Sequence, residues 1–555
     1  MSRVVNRKFE RKADIGIDMG NTNSYAWVSV GGRMRCVVAP DGGYHFPSYV
    51  YYRKDGSITV GSAAKRLFGS KTQSVVTNAM ELIGRMYSSP EVQSMKDDCG
   101  CPVVEKKGNP VFYVKSQNRF VTPLEVCTEI LRAVIEETRK QTECEIGRIC
   151  VTISVNSDEN QRSLVLQAVL NCGFRKDQVK LLYTPLAITL HYGQSDDMSG
   201  KTLLVLNVDR HTSDVSIVKE KGEGDHVHYE VCKYKKNDHL GEADIDAILL
   251  DWIIDRYREA TGNDLIPASM DEGAKASFKR KLLALVERAK INVSTFESSS
   301  IELASILPST RGDIDDQEIV LTRTKMNYLI RDKVSEILQT MKEALEAAKL
   351  SRYDIDAVLL TGESLRMDIY NEVIGNYFHG VKISDVRRSD STMNNNYGAC
   401  GACLALEQNY DPDDITAYSL DYRVDGNEIQ CIIPVNSKLP AVGSTLIYTS
   451  HDYIDEVKIS VFQSRQKVKG DTTVESNGVE LATILVTGFP LRPAGEVTMK
   501  LKWDCPCVGV LDVTVLDVTS NYKVLLDKER ISWYEHCLKT VQSIEDSTWS
   551  MNTMG

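Results

Sequence analysis

Two stretches far apart in the chain share one outline. Ile15 to Val30, IGIDMGNTNSYAWVSV, reads as an apolar strand, a short turn with an acidic residue and hydroxyls, and a second apolar strand. Val205 to Val218, VLNVDRHTSDVSIV, reads the same way. Each hairpin is followed by further strands and long helices, so the chain carries an internal duplication visible in its pattern rather than in its letters. Each half then needs a sheet covered by helices. A length of 555 residues leaves room for roughly three or four domains.

The helices announce themselves locally. Residues 122–138 have Thr122 as a cap, Pro123 at the first position and Glu125 to complete a capping box. Cys127, Ile130, Leu131, Val134 and Ile135 then fall on one face. Residues 146–155 and 357–362 read as buried strands, 282–294 as a helix, and 326–349 as one long helix. At EQNYDPDD, 407–414, the helical pattern stops at Pro412 among acids, which marks a linker. Beyond it, 415–528 is a series of short alternating runs such as EVKISVFQ and VLDVTVLDV, the pattern of an antiparallel β-sandwich. The last stretch, 529–555, reads as a short amphipathic helix and tail, and 1–13 as a basic solvated arm.

Composition narrows the function. The net charge of -11 disfavours nonspecific nucleic-acid or anionic-membrane partners. No apolar run of about 18 residues is present, so no spanning helix is expected. The 14 cysteines sit largely in apolar runs, as buried thiols of a reducing, cytoplasmic compartment do. Cys99-Gly-Cys101 and Cys505-Pro-Cys507 lack the four-ligand spacing of a zinc site, so no zinc is expected.

The stretch DMGNTNS, 18–24, has the chemistry of a phosphate cradle. An Asp at a strand end can hold a divalent cation through water. Gly20 lets main chain approach phosphate oxygens, and turn N–H groups with the Thr22 hydroxyl donate to them. With IGIDMGNTNS come VGSAAK (60–65), LIGR (82–85), DENQRSLVLQAVLNCGF (158–174), TPLAITLHYG (184–193), HLGEADID (239–246), ERAKINVS (287–294), LTRTKMNYLI (321–330), IDAVLLTGESLRM (355–367), DITAYSL (414–420) and IIPVNSKLP (432–440). In this order the chain resembles the 70-kilodalton heat-shock chaperones, the DnaK family, over nearly its whole length.

The resemblance implies an α/β actin-like (ribonuclease-H-like) duplicated nucleotide-binding domain over 14–407, an all-β sandwich over 415–528 that holds extended peptide, and a short C-terminal helix. Lobe I would take about 14–200 and 366–407, lobe II about 201–365, and 408–414 would join them to the sandwich. It implies ATP or ADP with Mg2+ as cofactor and ATP hydrolysis through Asp18, Thr22 and Asp214, with Asp18 toward the metal. Gly20, Asn21, Thr22, Thr212, Glu287, Lys290, Ser294, Gly362 and Arg366 would contact the nucleotide. Tyr422, Val424, Ile447, Val457 and Ile459 (and Val461) fall at or near positions that line the family's peptide cleft, although any sandwich needs such alternation for its core.

The departures from the family concentrate at the phosphates. Its second hairpin reads D-L-G-G-G-T-x-D, whereas here Asn207-Val208-Asp209-Arg210-His211-Thr212-Ser213-Asp214 has side chains where main chain must touch phosphate. Asp209 adds a like charge, and Asn207 cannot act as a base. Met80 stands for a lysine, Thr184 for a glutamate, Ser154 for a switch proline, Asn21 for a threonine, Ile291 for a purine-stacking arginine and Glu363 for a glycine, while Arg162 is kept. Asp425 replaces an apolar arch residue over the peptide cleft. The apolar linker is absent, and only about 27 residues follow the sandwich, too few for the family's long lid. The expectation is a divergent chaperone that binds apolar peptide, with co-chaperones or another chaperone as further partners, weakened nucleotide binding and impaired hydrolysis. Two alternatives stand beside it: a fully ATP-driven chaperone ATPase, and a scaffold pseudo-ATPase that binds no peptide.

Overall fold

The computed structural model describes residues 11–532 apart from 69–72, 195–196, 221–227, 239, 308–318, 385–396, 411–418, 426–428, 435–436, 465–478 and 508–509. Two mixed sheets dominate the first four hundred residues. The first contains β1 (Lys12–Met19), β2 (Asn23–Val30), β3 (Arg33–Cys36), β4 (Glu145–Ile153) and β5 (Val179–Tyr183) in the order β3-β2-β1-β4-β5. The second contains β6 (Thr202–Val208), β7 (Ser213–Glu220), β8 (Tyr229–Asn237), β9 (Ala357–Thr361) and β10 (Lys382–Ile383) in the order β8-β7-β6-β9-β10. In both, the first strand runs antiparallel to the second and parallel to a late strand that returns after a long excursion. The matching hairpins of the sequence are therefore the centres of two sheets with one topology.

The helices form where the local chemistry asks for them. α1 is the short Ala79–Leu82. α2, Pro123–Thr142, starts where the Thr122 hydroxyl accepts the Glu125 N–H at 3.2 Å, and its five predicted apolar residues are all buried. α3, Glu159–Leu170, opens on a reciprocal box: Asp158 accepts the Gln161 N–H at 2.7 Å and Gln161 accepts that of Asp158 at 3.2 Å. α4 (Thr184–Tyr192) packs against strands of both sheets, and α5 (Glu242–Thr261) and α6 (Glu272–Thr295) lie in the second half. The single long helix expected over 326–349 is instead two, α7 (Arg323–Ser335) and α8 (Ile337–Ala347). At the junction Glu336 N–H bonds the Lys333 carbonyl and Gln339 N–H bonds that of Glu336, three-residue steps that tighten the turn and interrupt the α pattern without an apolar signal. α9, Tyr397–Glu407, returns to pack on α4 and β1 of the first half.

The expected β-sandwich has two four-stranded antiparallel sheets. β11 (Ser419–Val424), β12 (Gln430–Ile433), β14 (Glu456–Ser464) and β15 (Val479–Thr487) form one, with β13 (Ala441–Tyr448) beginning the other. That second sheet continues with β16 (Thr498–Cys507), β17 (Val510–Asp517) and β18 (Lys523–Ser532). β18 corrects the boundary placed at 528: residues 529–532 are strand, not helix. Arg530 is held there by Asp512 through bonds of 2.7 and 2.9 Å, and Ile531 is in the sandwich core. The remainder of the expected C-terminal helix, the first ten residues of the N-terminal arm and 411–414 of the expected linker lie outside the described residues.

The start of that linker is tied down. Tyr410 is buried, donates its hydroxyl to the Tyr229 carbonyl at 2.9 Å and accepts the Tyr229 N–H at 3.1 Å. Its own carbonyl accepts from the Lys180 ammonium. One tyrosine thus fastens the chain after α9 to β8 of one sheet and β5 of the other.

Candidate functional site

A deep cleft opens where the carboxyl ends of β1 and β6 face each other. Its walls include Asp18 to Asn23, Met80, Glu81, Arg85, Thr152, Ser154, Thr184, Asn207 to Arg210, Thr212, Asp214, Lys236, Glu242 and Gly362. Among the expected site residues it brings together Asp18, Gly20, Asn21, Thr22, Thr212, Asp214 and Gly362. Glu287, Lys290, Ser294 and Arg366 are not among its walls.

The turn after β1 is braced from beneath. The Ser48 hydroxyl donates to the Gly20 carbonyl at 2.7 Å, and the Ser48 N–H bonds the Thr22 carbonyl at 2.8 Å. The side chains above remain open: Thr22 Oγ1 and Asn21 Oδ1 are buried without a hydrogen-bond partner among the described residues. Asp18 is half-buried, with Thr152 donating its hydroxyl to Oδ1. Burial raises the Asp18 pKa, and that bond only partly offsets it. Oδ2 fits because position 398 is glycine, whose missing Cβ leaves the space it fills.

The turn after β6 is closed. Asp209 N–H donates to the Thr212 carbonyl at 2.8 Å, and Arg210 N–H donates to the Asp209 carboxylate at 2.8 Å. The Arg210 and Asp209 carbonyls accept the first amides of α5, Ala243 at 2.7 Å and Glu242 at 3.0 Å. The loop therefore supplies its own anion to an amide that a phosphate cradle would leave free. Asp209 is thus satisfied by its own turn, while the Arg210 guanidinium reaches away to Asp246 at 3.7 Å. Burial pushes Asp209 up to about 6, against the bond from the Arg210 amide. Burial pushes Asp214 up to about 7, although Asn207 Nδ2 donates to it at 3.3 Å.

Two ion-pair networks fill the remaining polar space, and neither was foreseen. Glu81, on α1, accepts from Asn21 Nδ2 at 3.1 Å and Arg85 Nη2 at 2.8 Å, and pairs with Lys236 of β8 at 3.6 Å. Arg85 also pairs with Glu91 at 3.1 Å, and Lys236 with Asp238 at 2.7 Å. Burial opposes a charged Glu81, but Lys236, Arg85 and the Asn21 amide outweigh it and hold its pKa below the ordinary value. In the second network Lys290 Nζ lies 2.7 Å from Glu242 and 2.6 Å from Asp246. Burial works against its ammonium, but the two carboxylates keep its pKa above the ordinary lysine value. Glu287 pairs with Lys65 of the first half at 3.7 Å, and the Ser294 hydroxyl bonds the Lys290 carbonyl at 2.9 Å.

The other departures are also occupied by structure. Thr184 donates to the Ile153 carbonyl at 3.1 Å, and Ser154 donates to Asn156 Oδ1 at 2.7 Å. The Arg162 guanidinium stands 5.3 Å from the centre of the Tyr183 ring. Gly362 has φ 116°, and a Cβ there would run into the Val208 carbonyl, so the β9 turn requires glycine. Magnesium ATP fits one side only. The first turn offers orphaned oxygens, whereas the second turn and Glu81 present satisfied carboxylates where a triphosphate needs donors. Among the described residues no three His, Cys, Asp or Glu side chains converge as metal ligands. The buried thiols sit far from ionisation, Cys101, Cys127 and Cys150 being pushed up to about 12 by burial. No helix among the described residues is long and apolar enough to cross a membrane.

In the sandwich, Tyr422, Val424, Ile447, Val457 and Ile459 all lie in the core between the two sheets, the most exposed being Val424 at 6%. Val461 joins them. Asp425 ends β11 as a clamp: its carboxylate accepts the Lys458 N–H at 2.7 Å and the Ser450 hydroxyl at 3.0 Å.

The chain matches the family model described as Hsp70 protein over residues 14–535. It is similar to the chaperone protein dnaK of Cyanidioschyzon merolae (strain NIES-3377 / 10D), with 27% identity over 501 residues, covering 90% of this chain and 79% of that protein.

Proposed function

The chain belongs to the Hsp70 family, and from that premise we propose that it is a client-binding chaperone whose nucleotide cleft has impaired ATP hydrolysis. Hsp70 proteins bind ATP or ADP with Mg2+ and act on unfolded peptides with co-chaperones. This reading keeps the peptide partner and weakens the nucleotide. The observation that carries it is the closed second turn: the Arg210 amide is bonded by the Asp209 carboxylate at 2.8 Å. Phosphoryl transfer depends on positioned donors at the developing charge. Here one set is consumed by the turn itself, and the neighbouring cations Arg85 and Lys236 are paired to Glu81. Asp18, Thr22 and Asp214 are the groups through which any residual turnover is to be tested, with Gly20, Asn21, Thr212 and Gly362 as the remaining nucleotide contacts. The domain limits of the sequence reading, with the sandwich carried on to Ser532, and a cytoplasmic site of action belong to the same proposal.

Single-turnover hydrolysis with purified full-length chain tests it. The expected rate is at least about a hundredfold below that of an intact Hsp70 assayed alongside, the cost of losing one positioned donor. Parity between the two sinks the reading. A second reading, a scaffold that binds no peptide, is favoured by one observation: the five expected cleft residues are all core. Fluorescence anisotropy with an extended apolar peptide separates the two, since a scaffold shows no saturable binding.

A further inference from the structure

The Glu81 carboxylate has the environment a bound phosphate oxygen would have. It takes an amide donor from Asn21, a guanidinium from Arg85 and an ammonium from Lys236. Two of these belong to the first half of the cleft. Lys236 comes from β8, in the second sheet, where Asp238 holds its ammonium in place at 2.7 Å. The side chains of Glu81, Arg85 and Lys236 are 14%, 8% and 13% exposed, so the group is shielded and its attraction is little screened. The contact crosses the cleft between the two sheets, at the depth of the Asp209 turn.

We propose that Glu81 acts as a built-in phosphate surrogate, latching the two halves of the cleft through Lys236, so that closure does not depend on nucleotide. A nucleotide that closes a two-lobed cleft does so by giving donors on both sides one shared anion. Glu81 already supplies that anion, fixed to α1, hydrogen-bonded by Asn21 and Arg85 on one side and ion-paired with Lys236 on the other. The inference rests on the proposed loss of efficient hydrolysis only in sharing the same cleft, and it can fail separately.

Hydrogen exchange on the full-length chain tests it, read on peptides covering 79–85 and 229–237. The wild type is expected to show the same protection with and without magnesium ADP. Lys236→Gln should raise exchange in both segments about tenfold, with strand 456–464 of the sandwich unchanged as a control for folding. Unchanged exchange in that variant, or wild-type protection appearing only with nucleotide, overturns the latch. Glu81→Gln provides a second arm that does not depend on the first. It leaves Arg85, Lys236 and the Asn21 amide facing an uncharged group, so inorganic pyrophosphate should bind the variant and not the wild type in titration calorimetry. Binding to both, or to neither, means that Glu81 does not stand in for an anion. Efficient ATP hydrolysis by the wild type with the latch intact would remove the functional reading and leave this one standing.

Discussion

Replacing Lys290 by Met tests the second ion-pair network directly. Lys290 is 3% exposed, and its ammonium is shared by Glu242 at 2.7 Å and Asp246 at 2.6 Å. Methionine keeps the stem and removes the charge, leaving two buried carboxylates side by side with the Arg210 guanidinium at 3.7 Å from Asp246 as the nearest compensation. Breaking a buried pair by deleting one partner costs about 3–5 kcal/mol. Hydrogen exchange of peptides from α5 and α6 should therefore accelerate by about two to four powers of ten at pH 7.5. The loss should be pH-dependent with a definite sign. Burial already raises the Asp246 pKa, and without Lys290 only the more distant Arg210 is left to lower it. An acid whose folded pKa lies above its unfolded value costs stability at high pH and returns it as pH falls through the folded pKa. The variant should recover stability relative to wild type as the pH is lowered from 7.5 towards the ordinary carboxylate range, by about 1.4 kcal/mol per pH unit for each proton taken up. Less than about a fivefold change at pH 7.5, or a loss that stays constant to pH 5, refutes the claim that Lys290 is the counter-ion of a buried acid pair.

Asp214 is raised to about 7 by burial, so its ionised form costs stability above that pH and its protonated form is favoured below. Asp214→Asn should flatten the fall in thermal midpoint between about pH 4 and 7, the interval from the ordinary carboxylate pKa to the folded one, and a scan across it that shows no flattening rejects the reading. Gly362→Ala places a methyl against the Val208 carbonyl at φ 116° and should destabilise the second half by about 1–3 kcal/mol or more in urea melts. Tyr410→Phe removes the bonds to the Tyr229 carbonyl and N–H and should cost about 1–3 kcal/mol. Its readout is faster proteolysis after residue 407, and an unchanged digestion pattern argues that the tyrosine does not fasten the linker.

Legibility in the sequence followed the range of the interactions. α2 is written in Thr122, Pro123 and the apolar face behind them, all within a few turns, and the structure agrees, except that the Glu125 carboxylate is taken by Arg119 at 2.6 and 3.0 Å and does not close the expected capping box. The two hairpins were readable because a strand, a turn and a strand are contiguous. The division of 326–349 at Glu336 was not, since both helices present the same apolar stripe across it. The ion-pair networks were out of reach for another reason. Glu81, Lys236, Glu242 and Asp246 are ordinary charged residues, and only the fold brings Glu81 of α1 to Lys236 of β8. The signals present were faint: a glutamate directly before the Leu82-Ile83-Gly84-Arg85 run, and a lysine at the inner end of a half-buried strand. Tyr410 was legible only as an aromatic among acids in EQNYDPDD. That stretch has no paired apolar linker residues, and the tyrosine that does the fastening carries no local pattern to mark it.

The two hairpins make the comparison internal to the molecule. Their registers are equivalent, Asp18 opposite Tyr25 in one and Asn207 opposite Asp214 in the other, so the strands deliver both turns to the cleft in the same way. What differs is where the turn amides and side chains find partners. In the first, the hydroxyl of Thr22 and the Oδ1 of Asn21 are left over. In the second, Asp209 takes the Arg210 amide, and the α5 amides take the carbonyls. A ligand anchored only by the first turn would leave its far end against Glu81, whose charge is already matched by Arg85 and Lys236. Adding negative charge there must displace a matched carboxylate from shielded donors, which costs desolvated pairing and returns only an equivalent one. On the proposed reading, two separate substitutions, the Asp209 turn and Glu81, weigh against a triphosphate. Restoring glycine in the turn alone would free the Arg210 amide and still leave the Glu81 bridge in place.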